Sequence, residues 1–96
     1  MDKLDELRDQ VLPALLSHGA KRVAVFGSFV RGEDTPGSDI DLLVAFKEPL
    51  GLFGLARVQR QLEERVGRKI DLVTEGGLSR HIRPFVEKER QVIYEE

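Results

Sequence analysis

The chain contains no cysteine and only two histidines, so disulfide scaffolds, thiolate zinc sites and cysteine nucleophiles are excluded. Long apolar runs are missing as well. The longest stretch without a formal charge, residues 10–20, contains Pro13 and Gly19, and it falls well short of the roughly 20 apolar residues of a membrane span. Neither sign of charge dominates, since 15 Lys and Arg against 17 Asp and Glu leave a formal net charge of −2. Proteins that grip nucleic acid in general neutralise several phosphates at once and carry a basic excess or stripe. General nucleic-acid binding is therefore not expected. The segment Met1-Asp2-Lys3-Leu4-Asp5-Glu6 is acidic and lacks the apolar centre of a secretory signal, so a cytoplasmic protein with no membrane contact is expected. Repeats and low-complexity tracts are also absent.

The composition is that of a folded domain: 41% of residues are hydrophobic and 33% charged. A length of 96 residues fits one domain, 1–96, and area scaling predicts that such a fold hides roughly 65% of its extended-chain surface. The pattern of apolar residues then alternates between periods. Leu4, Leu7, Val11, Ala14 and Leu15 have helical spacing, interrupted by Pro13, which predicts either a kink or a second short helix running from Pro13 to about Gly19. Val23-Ala24-Val25-Phe26 reads as a buried strand, and Glu33 to Ser38 as a turn around Pro36-Gly37. In Asp39 to Phe46 both faces become apolar after Asp41, so this strand is expected at the sheet centre. Lys47 to Gly54 reads as a loop. Leu55, Val58, Leu62 and Val66 mark an amphipathic helix that stops at Gly67. Lys69 to Thr74 reads as a third strand. A last helix is expected on Leu78, Ile82, Phe85 and Val86 with Pro84 inside it, followed by a short strand over Gln91 to Tyr94. The alternation predicts an α/β domain.

Three places could carry chemistry. Gly27-Ser28, at the end of a buried strand and before a short helical turn, could offer backbone N–H groups and a hydroxyl to a phosphate. Taken alone, the pair is more simply a tight turn and a helix cap. Asp39 and Asp41 occupy alternate strand positions roughly 6.6 Å apart along the strand, where two carboxylates can share a hard cation; structural or salt-bridged acids fit equally well. Asp41 in particular needs a cation, an arginine or a wet cleft, because an unpaired buried carboxylate is very costly. Asp71, in Ile70-Asp71-Leu72-Val73, is by itself best read as a solvent-facing residue of an edge strand. Three strand-borne acids without cysteine nevertheless suit an oxygen-only Mg²⁺ site. His18 and His81 read as structural, and Arg57, Arg60 and Arg65 as a solvated helix face or a docking surface.

Taken together, these residues form a more specific pattern. Gly27-Ser28, ten intervening residues and then Asp39-Ile40-Asp41 resemble the Gly-Ser-x10-Asp-x-Asp signature of the nucleotidyltransferase fold shared with the DNA polymerase beta superfamily. Asp71 falls on a later strand, as in that family. The resemblance covers nearly the whole chain, which looks like the minimal nucleotidyltransferase (MNT) branch, whose members are often antitoxins paired with a HEPN-domain toxin. It implies an α/β (α+β) fold with a small mixed sheet flanked by helices. Carried over by position, it implies that Gly27 and Ser28 hold the triphosphate of ATP and that Asp39 and Asp41 bind Mg²⁺. Asp71 would complete a second metal position and help deprotonate the acceptor hydroxyl. Two cations about 3.5–4 Å apart can stabilise both the attacking and the leaving oxygen of an in-line displacement. Arg31 sits at the Arg-Gly position common after the Gly-Ser turn and is implied to neutralise phosphate charge; its alternative is a salt bridge to Glu33 or Asp34. Phe29 departs from the pattern, since members often carry a basic or polar residue there.

The resemblance thus implies Mg²⁺-dependent transfer of AMP from ATP to a hydroxyl, a tyrosine of a cognate HEPN toxin, which silences the toxin. A reading from another class is a non-catalytic binding antitoxin that blocks the toxin by complex formation. Transfer to tRNA or to a small molecule such as an antibiotic is disfavoured by the short chain, because relatives of those kinds append domains that hold the acceptor. A homo-oligomer is compatible with all of these readings.

Overall fold

The spacing of apolar residues and turn formers is realised in the computed structural model, which describes residues 3–96. The order is α1 (Lys3–Ser17), β1 (Ala20–Phe26), α2 (Ser28–Arg31), β2 (Ile40–Phe46), α3 (Gly51–Val66) and β3 (Ile70–Thr74), then a 3₁₀ turn (Glu75–Gly77), α4 (Arg83–Glu89) and β4 (Gln91–Glu95). Four strands form one sheet in the order β3-β2-β1-β4. β1 runs antiparallel to β2 and β4, while β2 and β3 are parallel. The expected mixed sheet is therefore present, with β2 in its interior.

Alternation along the strands divides the core between two faces. Val23, Val25, Ile40, Leu42, Val44 and Ile70 pack with Leu7, Val11 and Leu15 of α1 and with Val58 and Leu62 of α3. Ala24 and Leu43 point to the opposite face, where Leu78 and Val86 cover them with Phe26 and Val73 alongside. Asp41 and Asp71 alternate in step with Leu43 and Val73, so the acids share this second, more thinly covered face.

Several boundaries differ from the sequence expectation, each for a physical reason. No second helix starts at Pro13, because α1 continues through it. Proline costs the Asp9 carbonyl its helical partner, but Asp9 and Pro13 are both exposed, so water can serve that oxygen. Val11 and Leu15, both 0% exposed, hold the helix against the sheet on either side. α3 begins at Gly51, inside the expected loop. Its first turn carries Leu52 and Phe53, 82% and 89% exposed, so no buried stripe marked it. The last helix is shorter than expected and Pro84 lies in its first turn rather than in its interior, where a missing N–H costs nothing. Leu78 is buried ahead of that helix, whereas Ile82 and Phe85 are exposed.

Candidate active site

The acids meet at one end of the sheet because of strand register. β1 ends where β2 and β3 begin: Phe26 stands opposite Asp41, and Asp41 is paired across the parallel ladder with Asp71. One side chain from each of two neighbouring strands is thereby brought to the same level on the same face. Asp39 comes just before β2, whose first residue is Ile40.

At the tip of β1 the chain turns through Gly27, which has φ 78°, a backbone region that side-chain-bearing residues rarely adopt. A second constraint acts there, since a Cβ on Gly27 would run into the Asp41 carboxylate. Glycine thus permits both the turn and the approach of the backbone to an acid. Gly27 then starts α2, its carbonyl accepting from the N–H groups of Val30 and Arg31 at 3.1 and 3.2 Å. Ser28 follows, half-buried, at the first position of that turn.

Asp41 is half-buried, and its carboxyl is pushed up to about 6, first by desolvation, then by the Asp71 carboxylate through charge and a shared hydrogen bond, and further by Asp39 and Glu89. Both other acids proposed from sequence, Asp71 and Asp39, therefore act electrostatically on Asp41. Asp71 is exposed on edge strand β3, as its position in the sequence suggested.

Glu89 is the acid that sequence reasoning missed. It comes from the end of α4, accepts the Gly27 N–H, and takes Arg31 Nη1 on both carboxylate oxygens at 2.9 Å each. Arg31 also donates through Nε to Glu33 at 2.8 Å. Of the two salt bridges anticipated for Arg31, the one to Glu33 is present; Asp34 instead pairs with Lys3 and Arg68. Glu89 is separated from Gly27 by 62 positions and lies in the charged run Glu87-Lys88-Glu89-Arg90. Nothing local distinguishes it from a solvated helix end.

The residues fit a hard divalent cation. The half-buried Asp41 carboxylate feels the charge of Asp71, Asp39 and Glu89, an excess of negative charge in which a cation is the natural counterweight. Among the described residues no group of three or more acids or histidines is already gathered in a metal-holding geometry. Mg²⁺ usually binds through one or two carboxylates, waters and the phosphates of a substrate, and the paired Asp41 and Asp71 could supply such carboxylates. Neither histidine enters the site: His18 Nε2 meets Gln61 at 3.2 Å between α1 and α3, and His81 is exposed ahead of α4. A concavity of about 550 Å³ lies at the opposite end of the sheet, against Arg22, Phe46, Lys47, Leu50 and Glu75. No helix among the described residues is long and apolar enough to cross a membrane.

A mixed sheet carries paired acids beside a Gly-Ser turn, the arrangement that the resemblance to the nucleotidyltransferase fold implies. The chain belongs to the Nucleotidyltransferase domain family, whose pattern matches residues 5–93. It is 38% identical over 76 residues to protein adenylyltransferase MntA of Thermococcus cleftensis, covering 79% of this chain and 75% of that one. A solved structure described provisionally as a minimal nucleotidyltransferase is 45% identical, with a TM-score of 0.79 and 95% of both chains covered. The fold also recurs, at 16% identity and TM-score 0.78, in a complex of a tri-AMPylated Shewanella oneidensis HEPN toxin with its MNT antitoxin, covering 97% of this chain and 73% of the other. The protein is thus a nucleotidyltransferase of the minimal type.

Proposed function

We propose that this nucleotidyltransferase moves AMP from ATP to a tyrosine hydroxyl of a partner HEPN toxin and acts as its antitoxin. The observation that carries the chemistry is the register of β2 and β3, which sets Asp41 beside Asp71 at the Gly27-Ser28 turn. Asp39, Asp41 and Asp71 are the residues that would hold Mg²⁺. Bound there, the metal would neutralise charge building on the α-phosphate and the departing pyrophosphate. Gly27 and Ser28 receive the triphosphate, and the bare backbone of Gly27 lets it approach closely. Glu89 engages the Gly27 N–H and Arg31, two donors that phosphate oxygens would take over. The acceptor oxygen attacks the α-phosphorus, the bond to pyrophosphate breaks, and the hydroxyl proton passes to Asp71. Exposure of Asp71 on an edge strand suits a base whose acceptor arrives on another molecule.

The complex with the toxin, incubated with Mg²⁺ and ATP, should give a toxin heavier by one or more AMP units. Asp39→Asn and Asp41→Asn should abolish that gain while leaving the circular dichroism of the fold intact. Full transfer by either folded variant refutes the mechanism. Inhibition of the toxin that persists in both variants without any mass gain would instead establish a binding antitoxin.

A further inference from the structure

Arg68, in the turn between α3 and β3, takes no part in the reaction as described above. Its guanidinium nevertheless reaches across to the loop that delivers Asp39. Nη1 donates to Asp34 Oδ2 at 3.2 Å, and Nη2 donates to the carbonyls of Thr35 and Ser38, each at 2.9 Å. The carbonyl of the next residue, Lys69, accepts from the Ile40 N–H at 2.9 Å. These two links bracket Asp39, one on the carbonyl before it and one on the amide after it.

The clamp has its own support. The Arg68 guanidinium lies over the Phe29 ring, 5.8 Å from its centroid, and Lys3 Nζ lies over the same ring at 4.7 Å. Lys3 also pairs with Asp34 Oδ1 at 2.7 Å, and the Asp34 side chain is only 5% exposed. Helix α1, helix α2, the loop and the turn before β3 are thus tied at one point. Arg68 Nε is buried without a hydrogen-bond partner, so the fork is oriented toward the loop carbonyls even though one of its own donors goes unmet. A single ammonium could replace the charge beside Asp34, but it lacks the planar set of donors that spans these acceptors.

We propose that Arg68 is a positioning residue that fixes the loop at Ser38 and so holds Asp39 in place for the transfer reaction. Its kinetic consequence rests on the AMP transfer proposed above; the clamp itself does not. Small misplacements of a group that orients reacting atoms are expensive in rate, and Asp39 precedes the strand that could otherwise hold it.

The test compares wild type, Arg68→Lys and Arg68→Met, each checked for folding by circular dichroism and assayed well below its melting temperature. Amide exchange by NMR should show Ser38 and Ile40 exchanging faster by about tenfold or more in both variants, with central β2 amides unchanged. Transfer per folded molecule should show kcat down by about tenfold or more in both, with a higher Mg²⁺ concentration needed for half-maximal rate. Arg68→Lys with wild-type exchange and kcat would overturn the proposal, since charge alone would then suffice. So would Arg68→Met that melts earlier yet keeps wild-type kcat, because the role would be stability only. Should wild type transfer no AMP, the functional reading fails on its own, and the exchange of Ser38 and Ile40 still decides the clamp: unchanged exchange overturns it and faster exchange upholds it.

Discussion

Less exposed than Asp39 or Asp71 and facing other carboxylates, Asp41 keeps its proton up to a pH of about 6, whereas in the unfolded chain it titrates near 3.9. Between those values the folded state binds more protons than the unfolded one. Stability therefore falls as pH rises through that window, and the loss is complete above it. Asp41→Asn removes the buried repulsion. Allowing for solvent screening at a half-buried site, it should stabilise the protein at pH 7.5 by about 1 kcal/mol, a rise in Tm of roughly 4–8 °C, even as it abolishes transfer. At pH 4 the gain should vanish, because wild-type Asp41 is then largely protonated in the fold. Thermal melts at the two pH values check this, and an equal Tm difference at both would contradict it. The candidates Gly27, Ser28, Asp39 and Asp41 could be singled out in the sequence because their spacing is local. Glu89 was not, because its role exists only once α4 packs its end against the tip of β1.

Strands were read more faithfully than helix ends, and the reason is burial. β2 has apolar residues on both faces after Asp41 and is interior to the sheet, so its sequence and its place agree. The first turn of α3 is held by backbone hydrogen bonding while Leu52 and Phe53 face solvent, and an apolar stripe cannot report a turn that buries nothing. α1 shows the converse, with Val11 and Leu15 buried and packing that overrides a proline placed on the exposed side. That proline should still weigh on stability. A helix-interior proline is about 3 kcal/mol worse than alanine, offset in part by the roughly 0.4–1 kcal/mol it removes from unfolded-chain freedom. Pro13→Ala restores an N–H for the Asp9 carbonyl, and urea denaturation should show a gain of about 2–2.6 kcal/mol. An unchanged midpoint would mean that α1 has adapted fully to the proline.

The two faces of the sheet are unequally built, and that inequality bears on the site. Among the described residues the face under α1 and α3 gathers 13 buried side chains, while the face that carries the acids gathers four. Stability within a domain follows such differences, with thinly covered segments opening at lower free energy than the core. Helix α4 contributes only Val86 to its core, and Ile82 before it and Phe85 within it are exposed. Its end is tied down instead by Glu89, through the Gly27 N–H and Arg31. Native-state hydrogen exchange should therefore find the α4 amides opening below the global unfolding free energy, while β1 and β2 amides exchange only with global unfolding. Glu89→Gln keeps the shape but weakens the charged tie. It should lower the opening free energy of α4 by about 1 kcal/mol and leave the β1 and β2 amides where they were. Uniform exchange across α4, β1 and β2 would show one cooperative unit, and Glu89 would then be an ordinary surface contact rather than the latch of a separately opening element.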